Sequence, residues 1–161
     1  MKMSVLYHSD TGNTKKMAEV IAAGMQEVKG VEARTFPIDA VDQAWVKESV
    51  CVVAGSPTYY ASTSGQMKLF LETLGEYDVA GKLGGAFATE NYLHGGAESA
   101  MQIILTHMMV YGMVVYSGGG ACGDPVIHLG PVALGDHLSD TEVNFRLYGE
   151  RMAQKAAELF G

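Results

Sequence analysis

The chain has 161 residues, is 48% hydrophobic and 18% charged, and carries a formal net charge of −7. That length suits one domain with a sizeable core, and an acidic balance spread over both halves argues against nucleic acid and anionic membranes as partners. No stretch of about 18 apolar residues occurs and no basic-then-apolar leader opens the chain, so the expectation is a cytoplasmic protein.

The first strand is Met3–Tyr7, and residues 9–14, Ser-Asp-Thr-Gly-Asn-Thr, follow it. The helix after Asn13 carries an apolar stripe at Met17, Val20, Ile21, Met25 and Val28, and Gly30 is expected to end it. Val31–Ile38 alternates as a strand, and Val50–Ala54 is apolar throughout, as a strand covered on both faces should be. Cys51 falls in that run and reads as core; Cys122 lies in a Gly-rich stretch, and the two fit no metal motif. Thr63 and Gln66 form a capping box for a helix with Met67, Phe70, Leu71 and Leu74 inward. Leu83–Thr89 is the next strand. Ala97 to about Tyr111 is a helix facing inward with Met101, Ile104, Leu105 and Met108, and Met113–Tyr116 is the fifth strand. Ser139 and Glu142 are expected to cap the last helix, whose stripe is Phe145, Tyr148, Met152, Ala156 and Leu159. This alternation predicts one doubly wound α/β domain over 1–161, with five parallel strands. Most of the ten methionines fall on helix stripes and read as core.

Ligands in such folds sit beyond the carboxyl ends of the strands. Ser9, Thr11 and Thr14 offer hydroxyls there, Asn13 an amide, and the new helix its free N–H groups, so a phosphate would meet a cluster of donors. Only Gly12 of a dinucleotide fingerprint is present, and no P-loop occurs. A receiver domain would end strand three in Asp, where this chain has Ala54-Gly55-Ser56; a tyrosine-phosphatase loop would place Arg where Pro57 stands. Three further loops reach the same edge: 56–65, 90–96 and the long 118–140.

Ser9–Thr14 resembles the phosphate loop of flavodoxin-like proteins, which hold FMN phosphate without a cationic side chain. Gly55-Ser56-Pro57-Thr58-Tyr59-Tyr60, followed by Ser64-Gly65-Gln66-Met67-Lys68-Leu69-Phe70-Leu71, resembles the flavin loop and helix of NAD(P)H:quinone reductases of the tryptophan-repressor-binding-protein type. The resemblance runs over residues 1–161. It implies a flavodoxin-like sheet of order 2-1-3-4-5 and non-covalent FMN. Ser9, Thr11, Gly12, Asn13 and Thr14 would hold the phosphate, with Asp10 contributing its backbone N–H. Pro57, Thr58, Tyr59 and Tyr60 would line the ring. Thr89, Glu90, Asn91, Tyr92, Gly95 and Gly96 would pass along its polar edge and the ribityl chain. His128 is carried over as a residue near the flavin. A homo-oligomer is a further expectation of the resemblance.

Two functions compete. A one-electron carrier between proteins gains from a peptide that flips beside the flavin into positive φ, which favours Gly or Asn; residues 57–64 contain neither, and 56–65 contain no acid for docking. An enzyme taking hydride from NAD(P)H and reducing a quinone needs an open ring face and a proton donor, for which Tyr59, Tyr92 and His128 are candidates. On these grounds the sequence favours the enzyme.

Overall fold

The computed structural model describes residues 1–161. Along the chain run β1 (Lys2–Tyr7), α1 (Asn13–Gln26), β2 (Glu32–Pro37), α2 (Gln43–Glu48), β3 (Cys51–Tyr59), β4 (Ser62–Thr63), α3 (Gly65–Leu71), β5 (Leu83–Glu90), α4 (Ala97–Val110), β6 (Val114–Val115), β7 (Val132–Leu134) and α5 (Leu138–Phe160). The main path of the sheet is β2-β1-β3-β5-β6, every pair of it parallel. The expected order therefore holds by position, but the sheet has seven strands, not five. β6 pairs only with Leu83 and Gly84, and β7 pairs with Ala88, Thr89 and Glu90 at the other end of β5. The fifth position is thus shared by two short strands. The reason is backbone satisfaction: β5 outruns β6, and the long loop returns a three-residue strand to pair with its carboxyl end. β4 folds back antiparallel on β3.

Side chains on the central strands alternate between two cores. Met3, Val5, Cys51, Val53, Leu83 and Phe87 point to one face, under α1 and α5, where Phe87 meets Phe145 edge-on at 5.9 Å. Leu6, Val52, Ala54, Ala86 and Ala88 point to the other, with Met67, Phe70, Leu71 and Leu74, and with Met101, Ile104, Leu105 and Met108 from α4. Both faces are covered, which is why the strands read as continuous apolar runs. Met109 is exposed, but most of the methionines are buried as expected.

Several local expectations need correction. α1 ends at Gln26, and Gly30 belongs to the turn beyond it. The N-cap of α3 is Ser64, which accepts the Met67 N–H at 3.2 Å; Thr63 is the last residue of β4, because it pairs with Thr58 of β3. Ser139 caps nothing: α5 begins at Leu138, and its hydroxyl meets Asp140 at 3.4 Å. Leu159 is half exposed, in the last turn of α5. α2 carries no apolar stripe long enough to read; its cap is Asp42, accepting Trp45 N–H at 3.0 Å, and Trp45 lies under the Lys2 and Arg34 cations. No helix is long and apolar enough to cross a membrane.

Full burial pushes the Cys51 thiol up from 9.0 to about 12. The folded state then holds this proton more tightly than the unfolded chain does. Stability from that source is complete below about pH 9 and is lost as the pH rises toward 12. Cys51→Ala is expected to flatten the alkaline decline of the melting temperature; an unchanged decline would assign it to other groups, such as the buried Tyr148 phenol, which is also raised.

Candidate functional site

The carboxyl ends of β1, β3 and β5 bring three of the four predicted loops together, those at 9–14, 56–65 and 90–96. Between β1 and α1, Gly12 sits at φ 96° and serves as the N-cap, with no side chain bonded to the first helical N–H groups and no acid in the first turn. Such a start leaves donors and the positive end of the helix dipole free for an anion. A Cβ at Gly12 would meet nothing within 4 Å, so what demands glycine here is the positive φ, rather than close approach of another group. Ser9 Oγ accepts the Gly12 N–H at 3.1 Å and braces the loop.

The Asp10 carboxylate, at the edge of the polar cavity, is engaged by two other side chains. It accepts the Tyr59 O–H at 2.5 Å and lies 3.3 Å from His8 Nε2. Burial, together with this hydrogen bond and charge, pushes the Tyr59 phenol up to about 12. Tyr59 is thus a fixed, protonated side chain. Thr14 and Thr89 share a buried hydroxyl–hydroxyl bond of 2.8 Å that joins α1 to β5. One hydroxyl of such a pair donates and the other keeps its proton for a further acceptor.

The β3–β4 hairpin turns at Tyr60 and Ala61, with φ of 51° and 57°. Both central residues are in positive φ, the requirement of a type I′ turn, with neither Gly nor Asn present. The absence of those residues from 57–64 therefore does not exclude that backbone state. Each such residue costs about 1–2 kcal/mol, and strain of this kind collects at functional sites. The turn is held from outside. Gly96, φ 98°, lies against Ala61 so closely that a Cβ there would stand 2.5 Å from the Ala61 Cβ. Glu90 Oε2 in turn accepts the Ala97 N–H at 3.3 Å, which spends its charge on the start of α4.

Two adjoining cavities result. A polar one of about 50 Å³ is lined by Asp10, Thr11, Asn13, Thr14, Pro57 and Thr89. A larger one of about 420 Å³ is lined by Tyr60, Ala61, Tyr92 and Gly95. Thr58, Tyr59, Glu90 and Asn91 border both. Thr58 Oγ1 is buried there without a hydrogen-bond partner. An orphaned donor in a small polar cavity beside an uncapped helix start fits a phosphate, and the adjoining cavity walled by tyrosines fits a flat ring, so the residues present suit FMN. No Lys or Arg lines either cavity.

Of the predicted residues, Ser9 and Gly12 border a different, larger cavity on the other side of Asp10. Gly96 supports the hairpin. His128 is not brought to the tyrosines: it is exposed and lines a separate cavity with Glu98 and Asn144, so it is withdrawn as a proton donor to a ring. Gly135 was not anticipated. It packs on the Asn13 and Asn91 amides, where a Cβ would lie 2.5 Å from Asn91 Oδ1; the only signal in the sequence was the richness of 118–140 in glycine.

The chain matches the Flavodoxin family over residues 5–104. It is 42% identical over 160 residues to a flavodoxin of Clostridium saccharobutylicum, covering 99% of this chain and 100% of that one. It is 33% identical to an NAD(P)H dehydrogenase (quinone) of Geotalea daltonii, over 71% of this chain and 70% of the relative. The crystal structure of a flavodoxin, WrbA-like protein from Agrobacterium tumefaciens superposes with a TM-score of 0.82 at 24% identity, covering 98% of both chains, a likeness of fold. Fold and site define an FMN-binding redox protein with a flavodoxin-like sheet. The chain belongs to the flavodoxin family.

Removing the Thr11 hydroxyl is expected to weaken FMN binding. A hydrogen bond to a charged group is worth about 1.5–3 kcal/mol, so Thr11→Ala should lower affinity about tenfold or more by fluorescence titration. Unchanged affinity would mean that no phosphate is held at Thr11.

Proposed function

We propose that this protein carries electrons between redox proteins, as a flavodoxin does, with FMN held in the two adjoining cavities. The observation that favours a carrier over a hydride-accepting enzyme is the exposure of large apolar and aromatic side chains beside the ring cavity, Tyr60, Tyr92 and Leu93, a surface suited to docking another protein. The positive-φ turn at Tyr60 and Ala61 supports the same reading, since the conformational argument against a carrier no longer holds.

In this reading the helix start, Thr11, Asn13, Thr14 and Thr58 hold the phosphate by neutral donors. Asp10, tied to Tyr59, keeps its charge off the phosphate and fixes the Tyr59 ring. Tyr59, Tyr60 and Tyr92 fence the flat ring, with Pro57, Thr89, Asn91 and Gly95 completing the walls. FMN, when bound, supplies the redox chemistry. Tyr60, Tyr92 and Leu93 are strongly exposed around the opening, which suits a partner protein that covers them during transfer.

A second reading is kept because one observation favours it. The cavity of about 420 Å³ has room for a quinone beside Tyr59, Tyr60 and Tyr92, whose aromatic faces line it. Anaerobic stopped-flow mixing of the FMN-loaded protein with NADH and NADPH separates the two. A carrier is expected to react sluggishly with both and to show two resolved one-electron steps in a dithionite titration. Rapid reduction by either nucleotide, followed by turnover with a quinone, would replace the carrier by the enzyme.

A further inference from the structure

A cavity larger than either of those built by the flavin-site loops lies beside them. It has a volume of about 700 Å³ and lies between the ends of β1 and β2 and the outer face of α3, separated from the phosphate-sized cavity by Asp10, the single residue common to both. A cavity of this size is in the range of small-molecule sites. Its apolar walls are Tyr7, Ile38, Leu69, Phe70 and Tyr77, and the Phe70 and Tyr77 rings stand 5.7 Å apart, tilted by 51°. Leu69 is 68% exposed, so a large apolar side chain on this wall has no protein partner to cover it.

The polar groups of the cavity favour one sign of charge. Asp10 and Asp39 face Lys15 as the only cation, and neither Asp39 nor Lys15 is among the ion pairs of the protein. The Tyr7 and Tyr77 phenols are raised by burial first, and then by the charges of Glu19 and Asp39 on one and of Glu76 on the other. The lining thus carries two acids against one Lys, and aromatic faces beside an excess of negative charge attract cations. His8 adds a specific requirement. Its Nε2 faces the Asp10 carboxylate, which places the proton there, and its buried Nδ1 has no partner. A neutral imidazole in that tautomer offers Nδ1 as an acceptor, which an N–H donor would satisfy.

We propose that this cavity is a second ligand site, which takes a small primary arylalkyl amine: the ring lies among Ile38, Leu69, Phe70 and Tyr77, and the ammonium lies toward Asp39 and His8. The site is a separate cavity from those of the flavin reading: it shares only Asp10 with the phosphate-sized cavity and nothing with the tyrosine-walled one, and Ser9 and Gly12 of the loop at 9–14 border it from the side.

The test uses 2-phenylethylamine as the probe, titrated into the FMN-loaded protein by calorimetry and by amide chemical shifts, with 3-phenylpropionate as the anionic counterpart. Saturable binding with Kd of about 1 mM or tighter is expected for the amine, with shifts at Ile38, Asp39, Leu69, Phe70 and Tyr77 and no release of FMN. Asp39→Asn should weaken it about fivefold or more, and Leu69→Arg, which places a cation on the wall, should weaken it further. Both positions lie on the surface, outside the flavin cavities, so FMN affinity should stay unchanged. The proposal is overturned if the amine does not saturate, if the propionate binds as well, if Asp39→Asn leaves the affinity intact, or if the shifts gather at Thr58 and Tyr92.

Discussion

Replacing Thr58 by Val is expected to stabilise the protein without FMN and to weaken its hold on FMN. The two effects have one cause. Thr58 Oγ1 is buried with no hydrogen-bond partner, between the two cavities. A buried unsatisfied polar group costs about 1–3 kcal/mol, while a hydrogen bond to a charged acceptor is worth about 1.5–3 kcal/mol. Val keeps the branched shape and suits a strand, so the apo protein should gain about 1 kcal/mol in urea denaturation. FMN affinity should fall about tenfold to a hundredfold, the equivalent of the lost charged hydrogen bond. A purely structural hydroxyl would behave in the opposite way: the apo protein would lose stability and FMN affinity would hold. Measuring both quantities on one variant therefore separates a ligand group from a packing group.

Gly96→Val is expected to be the most damaging single change at the ring cavity. At φ 98° a residue with a Cβ is strained by about 1–2 kcal/mol. The new atom would also stand 2.6 Å from the Ala61 Cα, which is backbone and cannot rotate aside. Overpacking of this kind adds about 1–3 kcal/mol. Ala61 itself sits in positive φ beside Tyr60, so the hairpin tip must move, and a wall of the ring cavity moves with it. The thermal midpoint should drop by several degrees and FMN affinity by more than about tenfold. Gly12→Val is the informative control. It carries the same left-handed strain but meets nothing within 4 Å, so its effect on stability should be smaller. Equal losses for the two variants would mean that backbone strain alone, and not the contact with Ala61, explains Gly96.

The charge pattern bears on function in a way that composition did not foretell. A net charge of −7 describes the whole surface, whereas what a cavity can hold turns on which charges line it. Lys15 and Lys16 lie close to the phosphate loop in sequence, yet Lys15 borders the large cavity beyond Asp10, and Lys16 pairs with Glu142 of α5. Neither reaches the ring. The absence of Gly and Asn from residues 57–64 is one of the sequence arguments for an enzyme; the hairpin nevertheless holds Tyr60 and Ala61 in positive φ, and Gly96 packs against Ala61 from another loop.

Read alone, the amino-acid order determined what depends on near neighbours. Period 3.6 stripes at Met17, Ile21 and Met25, or at Phe145, Tyr148 and Met152, are set by residues three or four apart, and they located the helices and the core. The hydroxyl-rich loop at 9–14 and the tyrosines at 59, 60 and 92 were legible for the same reason, since a strand followed by a helix places its loop at the carboxyl edge of the sheet. Only the tertiary structure decided who partners whom across long stretches of chain. Tyr59 reaches Asp10 over 49 residues, and Thr14 reaches Thr89 over 75. The orphaned hydroxyl of Thr58, the split fifth strand and the support of Ala61 by Gly96 belong to the same group. Such pairings depend on how elements distant in sequence pack in space, and local spacing carries no record of that.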